Sequence, residues 1–577
     1  MAGLIGPAVA SFSEVLAERA RHAPDALAFT FLRDGEADEE TITNRELHEH
    51  ALAIATQLRE TVPAGARVLL LFPPGCDYVA AIFGCFHAGV VGVSATPPQL
   101  RRLERTLGRL MAIAADAEID AVLAAAPILD ASAALLSVDQ PLGRVPWLRA
   151  SDGSGVASDP EPAALHAPAI LQYTSGSTSE PRGVVLTQAN LLENSEVIAR
   201  AFGHSTSSRG FIWLPPYHDM GLIGGILQPV YIGFPCVLVS PVAIIKRPAR
   251  WLEGVSRHRA TTSGGPNFAY DLCVRRVDVA AREQLDLSSW DVAFNGAEPL
   301  HAATIDSFVE KFGRCGFRRE AFLPCYGLAE ATLMVTGTPK EAAPTLRHFD
   351  AATLKAARPE RSVEEGATTL VGVGHPSPSH EVVIVDPDTT MRCEPGTVGE
   401  IWVSGPSVAE GYWRRERETA ATFAAQLAGD ERPFLRTGDI GVIDSDELFV
   451  VGRLKELIIV AGTNYHPHDI ERLAEEAHDL LRPHSSAAFA LMDGHDERVA
   501  IVLDAEIGTQ EEAREAITAV RRRVAEGLDL QLDLIVLCPP GSVPKTTSGK
   551  IQRGLSRTLL THGKLEIFSE WRRSGGA

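Results

Sequence analysis

Residues 171–194 read LQYTSGSTSEPRGVVLTQANLLEN, and the ten positions from Thr174 to Gly183 hold five Ser or Thr hydroxyls and two glycines. The apolar runs on either side, Ala169 to Tyr173 and Val184 to Leu186, have the length and composition of strands, which makes the stretch between them a turn. Glycine lets backbone amides come close to a ligand, and consecutive amides in such turns form anion-binding concavities that hydroxyls can line. Phosphate fits that chemistry. No Gly-Lys-Ser/Thr follows, and the next element starts as a strand, so this is not the mononucleotide loop that opens a helix. Taken alone, the composition also fits a solvated turn.

Further stretches hold polar residues that apolar packing does not explain. WLPPYHDMGL places His218 and Asp219 after a Pro-Pro turn, and FNGAEPL brings Gly296, Ala297, Glu298 and Pro299 to a strand end. CYGLAEATL sets Tyr326 and Glu330 four residues apart, the spacing of a turn entering a helix. Asp439 lies in LRTGDIG, Arg453 and Lys455 in VGRLKELII, and Lys550 in the glycine-flanked GSVPKTTSGKIQRG. Singly, each has a plain structural reading as a core histidine, a turn aspartate or a solvated charge.

These residues need a scaffold, and the pattern supplies one. Strand-like runs at Val68 to Phe72, Ala121 to Leu123 and Ala169 to Leu171 alternate with helical segments at Asn44 to Leu58 and Arg101 to Ala115. That alternation predicts an α/β fold, with a large N-terminal domain of layered sheets flanked by helices. From Gly399 the short runs GEIWVSG, ELFVVGR and ELIIVAG predict a small β unit, and the remainder predicts a C-terminal α+β domain. The expected division is a large domain over 1–452 and a small mobile domain over 453–577. A chain of 577 residues exceeds one ordinary core.

Composition narrows the function classes. A formal net charge of −20 disfavours nucleic acid and anionic lipid surfaces, so an anionic substrate needs local cations. No apolar run approaches the roughly 20 residues of a membrane span, which predicts no integral membrane association. The opening MAGLIGPAVASF lacks a basic start and makes a poor signal peptide, so a cytoplasmic location is expected. Eight scattered cysteines without metal-finger spacing read as buried free thiols.

In their order along the chain, the hydroxyl loop, Tyr-His-Asp, Gly-Ala-Glu-Pro, Tyr-Gly-Leu-Ala-Glu, Thr-Gly-Asp, Gly-Arg-x-Lys and Pro-Lys-Thr-x-Ser-Gly-Lys resemble the adenylate-forming superfamily of acyl-CoA synthetases, adenylation domains and luciferases. The stretches WLPPYHDMGLIGGILQPVYIGFPCVLVSP, LDLSSWDVAFNGAEP and YGLAEATLMVTG are similar to its fatty acyl-AMP ligase branch in particular. The segment near 341–372 stands where that branch carries an insertion.

The resemblance implies a two-step activity: ATP and a medium- or long-chain fatty acid form acyl-AMP, with pyrophosphate released. The acyl group then passes to the phosphopantetheine thiol of an acyl carrier protein. It assigns Thr174, Ser175, Gly176, Ser177, Thr178 and Arg182 to the phosphates and Glu330 to Mg²⁺. Tyr326 and the Gly296 to Pro299 backbone go to adenine, and Asp439 with Arg453 to the ribose. His218 falls at the junction of acyl tunnel and phosphate, Lys550 is the catalytic lysine, and Lys455 is the hinge. An acyl-CoA synthetase using free coenzyme A and an inactive acyl-adenylate-binding protein are the alternatives. The chain departs from the usual pattern at Ser179 and Arg182, where the loop ordinarily has Gly and Lys. It also lacks the usual arginine at Ala461 and exchanges the His-Tyr order at Tyr465 and His466.

Overall fold

The structure, a computed structural model, describes residues 9–98, 103–132, 141–150, 164–174, 181–364, 367–460, 463–493, 496–546 and 549–573. It is the mixed α/β architecture that the alternation predicts, with two large sheets, a smaller β unit and a C-terminal α+β part. A seven-stranded sheet runs in the order Gly411–Tyr412, Arg182–Thr187, Pro168–Thr174, Val91–Ser94, Arg67–Leu71, Ala121–Ala124 and Trp147–Arg149. Its strands from Pro168–Thr174 onward pair in parallel, and the inner ones, Val91–Ser94, Arg67–Leu71 and Ala121–Ala124, are buried on both faces almost throughout, as helix-covered parallel strands must be. Arg182–Thr187 returns antiparallel, with Thr174 opposite Arg182, so both flanks of the hydroxyl loop are strands, as the sequence predicts.

A nine-stranded sheet contains Phe322–Gly327, Val292–Asn295, Thr262–Gly265, Gly210–Ile212 and Cys236–Val239 as parallel neighbours. The strand TSGG at its centre is nearly bare because large rings cover it. A Cβ on Gly264 would lie 2.2 Å from the Phe294 carbonyl oxygen, and one on Gly265 would lie 2.7 Å from the Trp213 ring. Behind this sheet Trp251, Tyr270 and Trp290 are each wholly buried, with Trp251 ring centroids 5.0 Å from Tyr270 and 5.4 Å from Trp290. The Trp251 indole donates to Ser263 Oγ at 2.8 Å, which ties the cluster to the bare strand.

Two boundaries differ from the sequence reading. The β unit begins at Glu381–Val385 and not at Gly399, because a strand rich in valine, Glu381–Val385, pairs with Gly399–Ser404. The run ELIIVAG lies outside it, since Ile458–Val460 turns back to pair with Thr463–Tyr465. From Ile458 on, a separate apolar core forms around Ile470, Val499, Ile501, Val520 and Ile535. It is covered by Pro467–Glu475 and Gln510–Leu528, which pack on a four-stranded sheet. All eight cysteines are free thiols. Among the described residues no helix is long and apolar enough to cross a membrane.

Removing the indole at the centre of the aromatic cluster leaves a cavity that rigid neighbours cannot fill. Trp251→Ala should therefore cost about 3–5 kcal/mol, read as a lower urea midpoint of the large-domain transition, and an unchanged midpoint would show that the cluster is not an anchor.

Candidate active site

A cavity of about 1910 Å³ opens between the large sheets and the C-terminal part. Gly296, Ala297, Glu298, Pro299, Tyr326, Glu330, Asp439, Arg453, His218 and Lys550 all border it, so residues spread over most of the sequence meet at one place. Lys455 is exposed beside it in the short turn Leu454–Glu456. Ser175 to Thr178 lie outside the described residues, and Thr174 is placed only as the end of its strand.

At one corner Asp439 and Arg453 stand opposite each other on antiparallel strands. Arg453 Nε donates to Asp439 Oδ1 at 2.8 Å, and the Tyr326 hydroxyl donates to Oδ2 at 2.8 Å. Each carboxylate oxygen keeps a lone pair, so the group is fixed in direction and can still accept from a ligand hydroxyl. Beside it the chain is drawn tight: Ala297 has φ +72°, and a Cβ on Gly296 would come 2.8 Å from the Cys325 carbonyl oxygen. Glu298 accepts the Phe268 amide at 2.6 Å, and burial raises its carboxyl above the ordinary value.

Glu330 occupies a single 3₁₀ turn, Ala329–Ala331, and not the helix start that its spacing from Tyr326 predicts. The helix fails because the next residue, Thr332, takes φ +71° and ψ −64°, and Leu333 N donates to Ala331 O at 2.9 Å, which closes a γ-turn of the strained, positive-φ form. Thr332 Oγ1 holds the Ser407 carbonyl at 2.6 Å, and Asn194 Nδ2 holds the Met334 carbonyl at 2.9 Å. Strain of this kind persists only where the surroundings over-determine it. Burial raises the Glu330 carboxyl while the Tyr412 hydroxyl donates to Oε1 at 2.9 Å. A carboxyl in that condition is suited to a cation, and Mg²⁺ asks for only one or two carboxylates alongside phosphate and water.

Arg182 does not border the cavity. Its guanidinium lies 5.5 Å from the Tyr412 ring centre and pairs with Glu418 at 3.0 Å. On the other flank of the loop the Tyr173 hydroxyl donates to Asp116 at 2.7 Å, and Arg415 bridges Asp116 and Glu418 at 2.8 and 3.2 Å. Both ends of the hydroxyl loop are thus pinned to one charged chain that ends at Tyr412 and Glu330. Tyr412 and Asp116 were not singled out from the sequence, and no local pattern marks them.

His218 and Asp219 precede the π-helical stretch Met220–Leu227, whose wider turns are common at functional sites. A Cβ on Gly221 would lie 2.0 Å from the Pro215 carbonyl oxygen, so only glycine permits this approach. Burial pushes the His218 imidazole down to about 3, with Lys550 and Arg109 adding to the effect, and the ring is neutral. Burial raises the Asp219 carboxyl against the opposing pull of Lys550. Lys550 therefore acts on His218, Asp219 and Glu298 together, and it reaches them from the C-terminal part. Its loop is braced internally, Thr546 N to Lys550 O at 2.7 Å and Lys550 N to Thr546 Oγ1 at 3.0 Å. Gly549, at φ +89°, abuts the Phe268 ring, where a Cβ would lie at 2.9 Å.

Away from this charged corner the cavity continues as an apolar arm bordered by Ile198, Phe202, Ile212, Phe234, Phe294 and Leu333. One cavity therefore joins a place for anions to a place for a hydrocarbon.

The family model described as AMP-binding enzyme matches residues 16–413, and the AMP domain of the Disco-interacting protein 2-like type matches residues 455–570. The chain belongs to the AMP-binding enzyme family. It is 41% identical to the medium-chain-fatty-acid acyl-carrier-protein ligase JamA of Moorena producens, over 97% of this chain and 96% of that one. It is 35% identical to the long-chain-fatty-acid AMP ligase FadD23 of Mycobacterium tuberculosis, over 94% and 95%. The fatty acyl-adenylate ligase of Legionella pneumophila, solved with acyl adenylate and pyrophosphate, superposes with a TM-score of 0.75 at 37% identity, covering 98% of both chains.

In this AMP-binding enzyme the C-terminal part is also held by a charge pair that sequence did not reveal. His484 Nε2 meets Asp271 Oδ2 at 2.8 Å, with Arg275 on the same oxygen at 2.7 Å. Burial would lower the His484 pKa, but Asp271, Glu475 and Glu298 outweigh it and raise the group; His301 faces it from the large domain and is itself pushed down to about 4 by burial. The raised pKa means that the contact is complete below about pH 6.5 and is lost as pH rises through the folded value. Substrate-dependent pyrophosphate release should therefore fall on that alkaline flank, and His484→Gln should flatten the fall. An unchanged profile in the variant would remove His484 from closure.

Proposed function

We propose that the protein is a fatty acyl-AMP ligase that activates a medium- or long-chain fatty acid with ATP and then loads an acyl carrier protein. The observation that carries this is the continuity of the apolar arm with the corner where Lys550, His218 and Asp219 converge. A carboxylate whose chain fills the arm would present its oxygens there, where attack on the α-phosphate brings two anions together. The Lys550 ammonium offsets that charge as it develops. His218, held neutral, adds no net charge and gives the junction a polar wall. Asp439 orients the ribose, the Gly296 to Pro299 backbone meets adenine, and the hydroxyl loop from Thr174 to Thr178 receives the outer phosphates. Arg182 serves this loop as an anchor through Glu418. Bound at Glu330, Mg²⁺ would neutralise phosphate charge. The whole relatives named as fatty-acid ligases support this reading, and it places the protein in the cytoplasm with a carrier bearing phosphopantetheine as its partner.

The second half-reaction needs the thiol to enter where Lys550 stands. We place the hinge at Lys455, between the large domain ending at 452 and the small domain from 453, so that rotation withdraws the lysine. Lys550→Ala should then lower acyl-AMP formation by about two orders of magnitude or more while most transfer from supplied acyl-AMP to a thiol survives. Equal loss in both steps would refute a role confined to the first.

The insertion near 341–372 bears on the choice of thiol. It forms the hairpin Leu346–Phe349 with Thr368–Val371 and the short helix Ala351–Lys355. Phe349 and Leu354 pack on Ile440, Phe449 and Val451, and the Lys355 ammonium lies 4.5 Å from the Tyr465 ring centre and donates to Leu528 O at 3.3 Å. One segment thus touches both domains and restrains rotation. Cutting it out would bare Phe449, so the cleaner test is Lys355→Ala. Acyl-AMP formation should persist and the yield of acyl-CoA from free coenzyme A should rise, because the rotated state becomes more populated. A folded, active variant that still ignores coenzyme A would move the discrimination elsewhere.

A further inference from the structure

Among the apolar side chains of this arm part of the wall is polar. Thr262, His204 and Gln228 are 3%, 7% and 0% exposed, and Thr262 and His204 border the cavity. His204 Nε2 is 3.2 Å from Thr262 Oγ1, and His204 Nδ1 is 3.3 Å from Gln228 Nε2. The ring is clasped by Phe202 and Phe234, with centroids at 5.3 and 5.0 Å, so its direction is set. Burial pushes the imidazole down to about 3, which leaves it one N–H and one lone pair. The relay can run either way. If Gln228 donates to His204, then His204 donates to Thr262 and the Thr262 O–H is left to donate onward; if the amide is turned, Thr262 donates to His204 and only its lone pairs are left. In both cases Thr262 retains hydrogen-bonding capacity that no described residue takes. With the amide as placed, Gln228 Oε1 has no partner among the described residues, and neither does the indole N–H of Trp213, which is 2% exposed and borders the same cavity.

A bare hydrocarbon would leave the spare capacity of Thr262 and the Trp213 indole N–H dry, and a buried donor left unpaired is costly inside a protein. A hydroxyl both donates and accepts, and so completes the relay in either direction. Thr262 begins its strand and Gly265, beside Trp213, ends it; three residues at about 3.3 Å each separate the two levels by roughly 10 Å. Resting on the fatty acyl-AMP ligase reading, we propose that this enzyme selects acyl chains hydroxylated in their distal half, and that Thr262, backed by His204 and Gln228, recognises the hydroxyl.

The test is pyrophosphate release from matched acids of equal length, with a plain chain, a hydroxyl walked along the distal carbons, and a ketone at the same positions. One hydroxy acid should exceed its plain partner by about tenfold or more in kcat/KM, since a site built to bond a hydroxyl rejects the analogue lacking it. Thr262→Val should reduce that ratio to near one, with thermal unfolding used to show that the variant is folded. Activity of the ketone partner would report the relay direction in which the Thr262 O–H is left to donate onward, and its failure the direction in which that O–H is given to His204. Plain acids preferred at every length, or a Thr262→Val ratio unchanged from the parent, would overturn the proposal and leave the polar wall to ordered water. If no acid releases pyrophosphate, the ligase reading fails instead, and calorimetric binding of the same acid pairs still decides whether the wall discriminates.

Discussion

The Lys550 ammonium acts on His218, Asp219 and Glu298 across the boundary between two separately packed cores. Around it, the contacts between the two parts include kinds that break at modest cost: the His484–Asp271 pair, the Lys355 cation over Tyr465 and beside Leu528 O, and Gly549 against the edge of Phe268. If that charge serves one step and obstructs the next, as proposed, it has to be carried on such terms. Were the small core fused to the large one by a broad apolar face, the lysine would be well placed and permanently so.

A cation that moves as proposed is useful only if its targets do not move with it. The large domain meets that demand with backbone strain. Thr332 is forced into its γ-turn by the Ser407 and Asn194 contacts, and Ala297 is held at positive φ with Cys325 closing on Gly296. Gly327 makes the same point, since a Cβ there would lie 1.7 Å from the Leu333 carbonyl oxygen. Glu330 and the Gly296 to Pro299 backbone are thus fixed by close backbone approach, which side-chain rearrangement cannot relax.

Much of this was legible in the sequence because the chemistry calls for unusual residue types at strand ends. Hydroxyls after Tyr173, glycine and glutamate after Asn295, and a glycine-flanked lysine at 550 are all poor choices for packing, and all but the undescribed loop residues converge on one cavity. Pairs made by distant residues of ordinary type were not legible. Asp271 and His484 are 213 positions apart, and each alone reads as a surface charge. Thr262, His204 and Gln228 are scattered among apolar runs with no spacing in common. Arg182 was legible as a cation beside a phosphate loop, yet Glu418 and Tyr412, far along the chain, decide where its charge is placed. The strand Glu381–Val385 is not legible as the start of the β unit because its partner Gly399–Ser404 lies beyond an intervening turn-rich stretch.

The exchanged order at Tyr465 and His466 becomes intelligible in the same terms. Successive residues of an extended segment face opposite ways. Tyr465, at the end of Thr463–Tyr465, turns its ring under Lys355 of the insertion, while His466 turns back against Gly452, where a Cβ would lie 2.3 Å from its Nδ1. Swapping the two would set an imidazole under the ammonium, where protonation would turn attraction into repulsion, and would press a larger phenol ring on a backbone with no room for a methyl group. The order found here therefore suits a lysine at 355 and a glycine at 452 together. Gly452 and His466 lie on either side of Lys455, so the same two-residue choice that fastens the insertion to the small domain also shapes the packing around the proposed hinge.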